Sequence, residues 1–347
     1  MLYLTTRNKN DSYTVNHALS ESRSPDGGFF VPKGFPKLEK AQIEALGKNS
    51  FSQNAANVIN LLFQTKLDSW AIEFAIGRYP VKLVTLGSRE TVAETWHNPA
   101  WRFERLARGI EKAIRQSDKV CPEPTDWVMT ASRMAVLFGV FGEMLGNGML
   151  KADVPIDVAV PSGDFAAPMA VWYAREMGLP IANIIVCCNE NGGVWSLLHK
   201  GEVRTDAAVI STDTPMCDQH APAGLERLIS ANLGVVGVEN FLRTCEKGGT
   251  WYLEPNQQQM LRKGIETCVV SKTKMESTVL NLYKTNRYVC DPYTALCYSG
   301  VGEYRSKTGQ SRAVLIWAEE SPIHFPAVIG RCMGISGEKL KALFNEI

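Results

Sequence analysis

The sequence predicts an α/β fold built on a sheet of parallel strands, and three observations carry this. Short apolar runs of strand type, Val81–Leu86, Ile156–Val160, Ile184–Cys188 and Ala313–Ala318, alternate with amphipathic helical stretches. One of these runs, Ile156–Val160, passes through Pro161-Ser162-Gly163 directly toward a helix predicted from about Pro168 to Met177. The chain has 347 residues, 45% hydrophobic and 21% charged, an ordinary globular composition with room for one large domain or two.

In chain order, Leu2–Thr6 reads as a strand and Val15–Leu19 as a helical stretch. Pro25-Asp26-Gly27-Gly28 reads as a turn leading into a short strand. Residues 38–80 alternate helical patterns with polar breaks, which suggests a small helical module. Val81–Leu86 and Thr91–Trp96 are strands. His97 to Arg105 opens a helix that runs to about Gln116, and a polar linker over 117–126 leads to the helix Trp127–Leu145. The central strand, turn and helix follow, then the strand Ile184–Cys188. Val209–Ser211 comes next, then a loop over Asp213–Ala223, and a helix starts near Leu225. The last third holds more helix, a turn at Asp291–Ala295, a strand over Ala313–Ala318 and a final helix after Pro322.

Composition excludes several classes of function. A formal net charge of +1 and no basic tail or stripe argue against a nucleic-acid partner. Nine cysteines without CxxC or CxxH spacing suggest reduced cytosolic chemistry rather than a disulfide framework or zinc site. The start Met1–Arg7 lacks the pattern of a signal peptide, and a cytoplasmic location is expected. No apolar stretch is expected to cross a membrane. The tract Val136–Leu145, interrupted by Gly139, Gly142 and Glu143, reads as a buried helix.

The strand, glycine turn and helix at Ser162, Gly163, Asp164 and Phe165 have the form of a phosphate cradle. Backbone N–H groups and a helix dipole there favour an anion. The same geometry also joins strands to helices with no ligand bound. A small anionic metabolite is the expected ligand class if the turn binds anything. Cys217 is the best nucleophile candidate, with His220 three positions on, although a structural cysteine is the plainer reading. The scattered His17, His199, His220 and His324 suggest no metal site.

Several strings together resemble the threonine synthase family, pyridoxal-phosphate (PLP) enzymes of fold type II. Tyr3-Leu4-Thr5-Thr6-Arg7 and Asp26-Gly27-Gly28 through Pro32 are similar to the family's N-terminal module. Pro161-Ser162-Gly163-Asp164-Phe165 resembles Pro-Thr-Gly-Asn-Phe-Gly-Asp. Asp291-Pro292-Tyr293-Thr294-Ala295 resembles Asp-Pro-His-Thr-Ala, and Pro322-Ile323-His324-Phe325-Pro326 resembles Pro-Ala-Lys-Phe-Pro. Tyr173–Pro180, Asn189-Glu190-Asn191, Thr214–Asp218 and Glu226-Arg227-Leu228 are also family-like, and the likeness runs nearly the whole chain. It implies a threonine-synthase-type N-terminal module over residues 1–95. Residues 96–347 would form a fold-type-II large domain with a parallel sheet, its small domain largely deleted. The implied ancestral activity is conversion of O-phosphohomoserine to threonine.

The departures from the family pattern change that expectation. The family's His-Gly-Pro-Thr-x-x-Phe-Lys-Asp carries the Schiff-base lysine. Here His97-Asn98-Pro99-Ala100-Trp101-Arg102-Phe103-Glu104-Arg105 puts Glu104 in its place, and a carboxylate cannot form an imine. In the phosphate loop Asp164, Ala166 and Ala167 replace Asn, Gly and Asp. No Ser or Thr falls where the family places one beside the pyridine nitrogen, near Trp317-Ala318-Glu319-Glu320. After the helix at Phe103, the family's substrate-carboxylate segment is missing between Arg115 and Asp126.

The resemblance therefore implies a pseudoenzyme with a binding or regulatory role and no cofactor. The surface left by the lost domain would suit a homodimer or heteromer. One alternative is a repurposed PLP-independent enzyme using His97, Glu104 or Cys217 on a small phosphorylated or amino-acid-like metabolite. Another is an active threonine synthase with a displaced lysine, Lys112 or Lys119. For Glu104 itself, a helix residue paired with Arg102 or Arg105 is the plainer reading, and for His97 a loop residue bonded to backbone.

Overall fold

A computed structural model describes residues 1–76, 81–97, 103–115 and 125–346. The segments 98–102 and 116–124, where the sequence suggests a helix opening and a linker that includes Lys119, lie outside the described residues.

The N-terminal strand β1 (Tyr3–Thr5) and helix α1 (Val15–Ser20) precede β2 (Phe30–Pro32), which pairs antiparallel with β1. The turn into β2 needs Gly27, whose φ is 77°. Asp26 fixes the turn, accepting from the Gly28 N–H at 2.9 Å and from the Thr5 hydroxyl at 2.6 Å. Three helices follow, α2 (Lys40–Ala45), α3 (Phe51–Phe63) and α4 (Ser69–Ile76). Ser50 starts α3 with a capping box: its hydroxyl accepts from the Gln53 N–H, and the Gln53 side chain accepts from the Ser50 N–H.

A hairpin of β3 (Lys82–Thr85) and β4 (Glu90–Glu94) then opens the main sheet, followed by α5 (Phe103–Arg115) and α6 (Asp126–Gly146). Only residues 116–125 separate these two helices. The central unit is β5 (Ile156–Pro161), α7 (Ala166–Glu176), β6 (Ile181–Cys188), α8 (Gly193–Lys200) and β7 (Glu202–Arg204). Next come α9 (Leu225–Lys247), which Gly234 kinks, β8 (Thr250–Tyr252), α10 (Pro255–Arg262) and β9 (Ile265–Val269). The chain closes with α11 (Lys272–Asn286), α12 (Pro292–Thr308), β10 (Val314–Ala318), α13 (Pro326–Met333) and α14 (Gly337–Phe344).

The main sheet has the order β3-β4-β10-β5-β6-β9. Every pair is parallel except β3–β4. The expected parallel sheet is present with one antiparallel edge, because a four-residue connection between β3 and β4 is too short for a crossover. Alternate residues of the central strands face opposite cores. Val158, Val160, Ile184 and Trp317 pack with α6 and α7, whereas Ala159, Ile185, Cys187 and Ile316 pack with α11 and α12. Burial on both faces explains why these strands are continuous apolar runs. A chain division after residue 95 falls one residue past β4, and β4 is hydrogen-bonded in register to β10 from Glu90 to Glu94.

Three sequence expectations are corrected. Helix α6 has 21 residues and is long and apolar enough to cross a membrane by composition, although 83% of its apolar window lies inside the protein. Gly139 and Gly142 lie within this helix, as the sequence suggests, and leave room for α3 and for the turn before it. A Cβ on Gly139 would meet the Phe51 ring at 2.6 Å, and one on Gly142 the Leu46 carbonyl at 2.8 Å. The stretch Asp291–Ala295 is a helix start rather than a free turn. Asp291 caps α12 by accepting from the Tyr293 and Thr294 N–H groups, with Pro292 in the first turn. Helix α7 begins at Ala166, two residues before the expected Pro168, because the Asp164 carboxylate accepts from the Ala166 N–H at 2.9 Å.

Candidate functional site

The carboxyl ends of β5 and β10 and the start of α7 meet around the loop Ser162–Phe165. In parallel α/β sheets this end is where ligands bind. The loop is sharply turned, with Gly163 at φ 43° and Phe165 at φ 71°. Four backbone donors here, those of Ser162, Gly163, Phe165 and Ala166, already have acceptors. Ser162 donates to the Cys187 carbonyl at 2.8 Å and Phe165 to the Ser162 carbonyl at 2.8 Å. Gly163 donates to the Cys217 sulfur at 3.3 Å, and Ala166 to the Asp164 carboxylate. The Asp164 side chain is exposed at the mouth.

Beside this loop, Arg133 of α6 grips Glu319, which follows β10. Its Nε and Nη2 donate to the two carboxylate oxygens at 2.6 and 2.8 Å. The indole of Trp317 donates to the same carboxylate at 2.7 Å, and the guanidinium lies 4.9 Å from the Phe103 ring centroid. The remaining cavity is about 30 Å³, with Arg133, Ser162, Asp164, Tyr293, Trp317 and Glu319 among its walls. Small-molecule sites are typically about 300–1,000 Å³.

Glu104 lies in the first turn of α5 with an exposed side chain. The charges of Glu319, Asp164 and Glu104 together hold the Arg133 guanidinium firmly protonated against the effect of its burial. Burial raises the Glu320 carboxyl, and Glu104 and Glu319 push it the same way, while His324 at 3.0 Å opposes them. Three carboxylates thus act on the Arg133 guanidinium, with Glu320 beside two of them.

His97 follows β4 and points to a different cluster. Its Nε2 is 2.5 Å from Glu94 Oε2, and its ring stacks on Trp96 with centroids 3.8 Å apart. Tyr288 donates its hydroxyl to the other Glu94 oxygen at 2.7 Å. Glu94 is buried, and with the buried Glu94 charge nearby, loss of hydration raises the Tyr288 hydroxyl well above its ordinary range. Neither Glu94 nor Tyr288 stands out in the sequence, since the three residues meet only through the packing of β4 on the segment after α11.

Cys217 is placed against the phosphate-type loop, not with a catalytic partner. Burial pushes its thiol up to about 11. His220 spends its Nε2 on the Ala208 carbonyl, 3.1 Å away. The contact of Cys217 with Gly163 joins positions 54 apart in the chain, so no local spacing could reveal it. Among the described residues, no group of three or more His, Cys, Asp or Glu side chains is arranged to hold a metal ion.

Comparison with known proteins fits this geometry. Residues 2–78 match the family described as "Threonine synthase N terminus". The chain is 25% identical over 170 residues to human "Threonine synthase-like 1", a stretch that covers 48% of this chain and 23% of that protein. It is 24% identical over 187 residues to threonine synthase of Saccharomyces cerevisiae, covering 49% of this chain and 36% of that one. The match therefore spans well under half the length of these curated relatives. In fold, the chain superimposes on PLP-bound threonine synthase from Brucella melitensis with a TM-score of 0.83 and 18% identity, over 99% of this chain and 94% of that one. Yeast threonine synthase gives a TM-score of 0.82 and 17% identity over the same shares. The architecture is that of the fold-type-II PLP enzymes. Within that class, residues 2–78 match the threonine synthase N-terminal family, and the chain as a whole is similar to threonine synthases.

Proposed function

We propose that this protein has lost the PLP-dependent conversion of O-phosphohomoserine to threonine and serves as a binding or regulatory protein. The observation that carries the reading is the Arg133–Glu319 pair, which fills the space beside the loop Ser162–Phe165 and leaves about 30 Å³. The residues present do not fit PLP. A carboxylate, Glu104, stands in the motif position of the lysine and offers no amine. The loop N–H groups of Ser162, Gly163, Phe165 and Ala166 are bonded within the protein, so they would have to be released before they could hold a phosphate. Three carboxylates, Glu319, Asp164 and Glu104, act on the Arg133 guanidinium, and a phosphate dianion brought beside them would meet repulsion.

The test is incubation of the purified protein with PLP, followed by an absorbance spectrum and borohydride reduction. The expected result is no yellow aldimine band and no reduced adduct on any lysine. A stable adduct found by peptide mapping, on Lys112 or Lys119 for example, would overturn the reading.

A second reading has one observation in its favour. His97, Glu94 and Tyr288 form a hydrogen-bonded acid–base set of the kind a PLP-independent enzyme could use on a small phosphorylated or amino-acid-like metabolite. Under this reading His97→Asn abolishes a turnover that the wild-type protein shows. Under the favoured reading it changes only stability.

A further inference from the structure

We infer that the chain binds a small dianion, a phosphate monoester or a dicarboxylate, in a pocket between the N-terminal strands and helices α7 and α9. The residues lining this pocket are distinct from those lining the cavity at the loop Ser162–Phe165, and the two regions are joined where the Gly224 N–H, just before α9, donates to the Asp164 carbonyl at 2.9 Å. The inference stands whether or not the protein catalyses a reaction.

The pocket has a volume of about 220 Å³, and its floor is formed by Arg227 and Ser230 on the first turns of α9. Arg227 is 1% exposed and Ser230 4%. The Arg227 guanidinium spends one nitrogen, Nη2, on Asp126. Its Nε and Nη1 have no hydrogen-bond acceptor, and neither does the Ser230 hydroxyl have a partner. The Phe29 ring, 4.1 Å from the guanidinium carbon, is an apolar neighbour that supplies no in-plane acceptor. Buried donors left in this state are costly, more so for a charged group, and in folded proteins they almost always have a partner. Both groups belong to residues that line this one pocket.

The walls and mouth agree with an anion. Lys9, Lys33 and Lys37 line the pocket, and Glu176 is the one carboxylate among its lining residues. Loss of hydration draws the Lys9 ammonium below its ordinary value, and a bound anion would reverse that. The apolar wall is Trp172 and the Tyr173–Phe35 stack, whose ring centroids are 4.6 Å apart. This wall accommodates the carbon skeleton, while the guanidinium fork, the hydroxyl and the lysines take up the charged oxygens.

The test uses the full chain in titration calorimetry at constant ionic strength, with inorganic phosphate, phosphoserine and succinate as separate probes. Sodium chloride is the control for general screening. The expected result is saturable binding of at least one probe, with phosphate and phosphoserine against succinate telling a phosphoryl ligand from a carboxylate one. Ser230→Leu fills the floor and is expected to weaken that binding about tenfold or more. The charge reversal Lys33→Glu/Lys37→Glu, made at exposed positions, is expected to do the same and covers the case where Ser230→Leu does not fold. Absence of binding by all three probes at millimolar concentration would overturn the inference, as would binding that neither variant weakens.

Discussion

Arg133 and Glu319 are 186 residues apart in sequence and meet through two charge-assisted hydrogen bonds at the carboxyl end of the sheet. Their side chains are only 9% and 15% exposed, so each depends on the other for its solvation. Removing one partner of a buried pair typically costs about 3–5 kcal/mol, whereas replacing both by apolar residues can be close to neutral. Glu319→Ala is therefore expected to destabilise the protein by about 3 kcal/mol. The double variant Arg133→Met/Glu319→Leu should recover most of that loss, and urea denaturation of the three proteins checks it.

Restoring the amine alone is expected to be insufficient. Glu104→Lys returns a lysine to the motif, yet the Arg133–Glu319 pair and the bonded loop N–H groups remain. The variant should stay colourless with PLP. An aldimine band in this single variant would show that position 104 was the sole obstacle.

Asp291 gives the stability a pH dependence of known sign. Burial pushes its carboxyl up to about 7 from 3.8. The folded state therefore holds a proton that the unfolded chain releases at lower pH. This group's contribution is fully present below about 4 and is lost as pH rises toward 7. Asp291→Asn keeps an acceptor for the Tyr293 and Thr294 N–H groups. Its stability relative to the parent protein should rise between pH 4 and 7 and level off above, as thermal melts across that range would record.

Thiol reactivity should be ordered by burial. Cys245 is exposed, while Cys187, Cys188, Cys217, Cys268, Cys290 and Cys297 are buried. Among the described cysteines, iodoacetamide at neutral pH is expected to label Cys245 first. Cys217, with its thiol raised to about 11, should label only on unfolding. Mass spectrometry of native and denatured samples gives the order.

Gly142→Ala should destabilise by about 1–3 kcal/mol, the usual penalty for overpacking. The added methyl would meet the Asn54 amide and, at 2.8 Å, the Leu46 carbonyl. Asn54 cannot swing away freely, because its amide donates to that same carbonyl at 2.9 Å.

The sheet was legible in the sequence because its central strands are buried on both faces and appear as unbroken apolar runs, as at Ile156–Pro161 and Val314–Ala318. Strands β7 and β8 escaped notice since three residues each carry no periodicity, and α8 hid behind Asn191-Gly192-Gly193, which resembles an ordinary turn. The family motifs located the loop at Ser162 and the helix bearing Glu104. They could not reveal the contents of the cleft. Arg133, Glu319 and Trp317 come from α6 and from the end of β10, and their meeting is a property of the fold alone. The same holds for the pocket at Arg227 and Ser230, since the sequence marks Arg227 only as part of a family-like string and does not show that its Nε and Nη1 and the Ser230 hydroxyl lack acceptors.

Strand β10 lies between β4 and β5, with parallel partners on both sides. The last strand to be synthesised is thus inserted beside one of the first two strands of the sheet. Until the ribosome has delivered residue 318, β4 and β5 each keep an unbonded flank, and the nascent sheet stays divided down its middle.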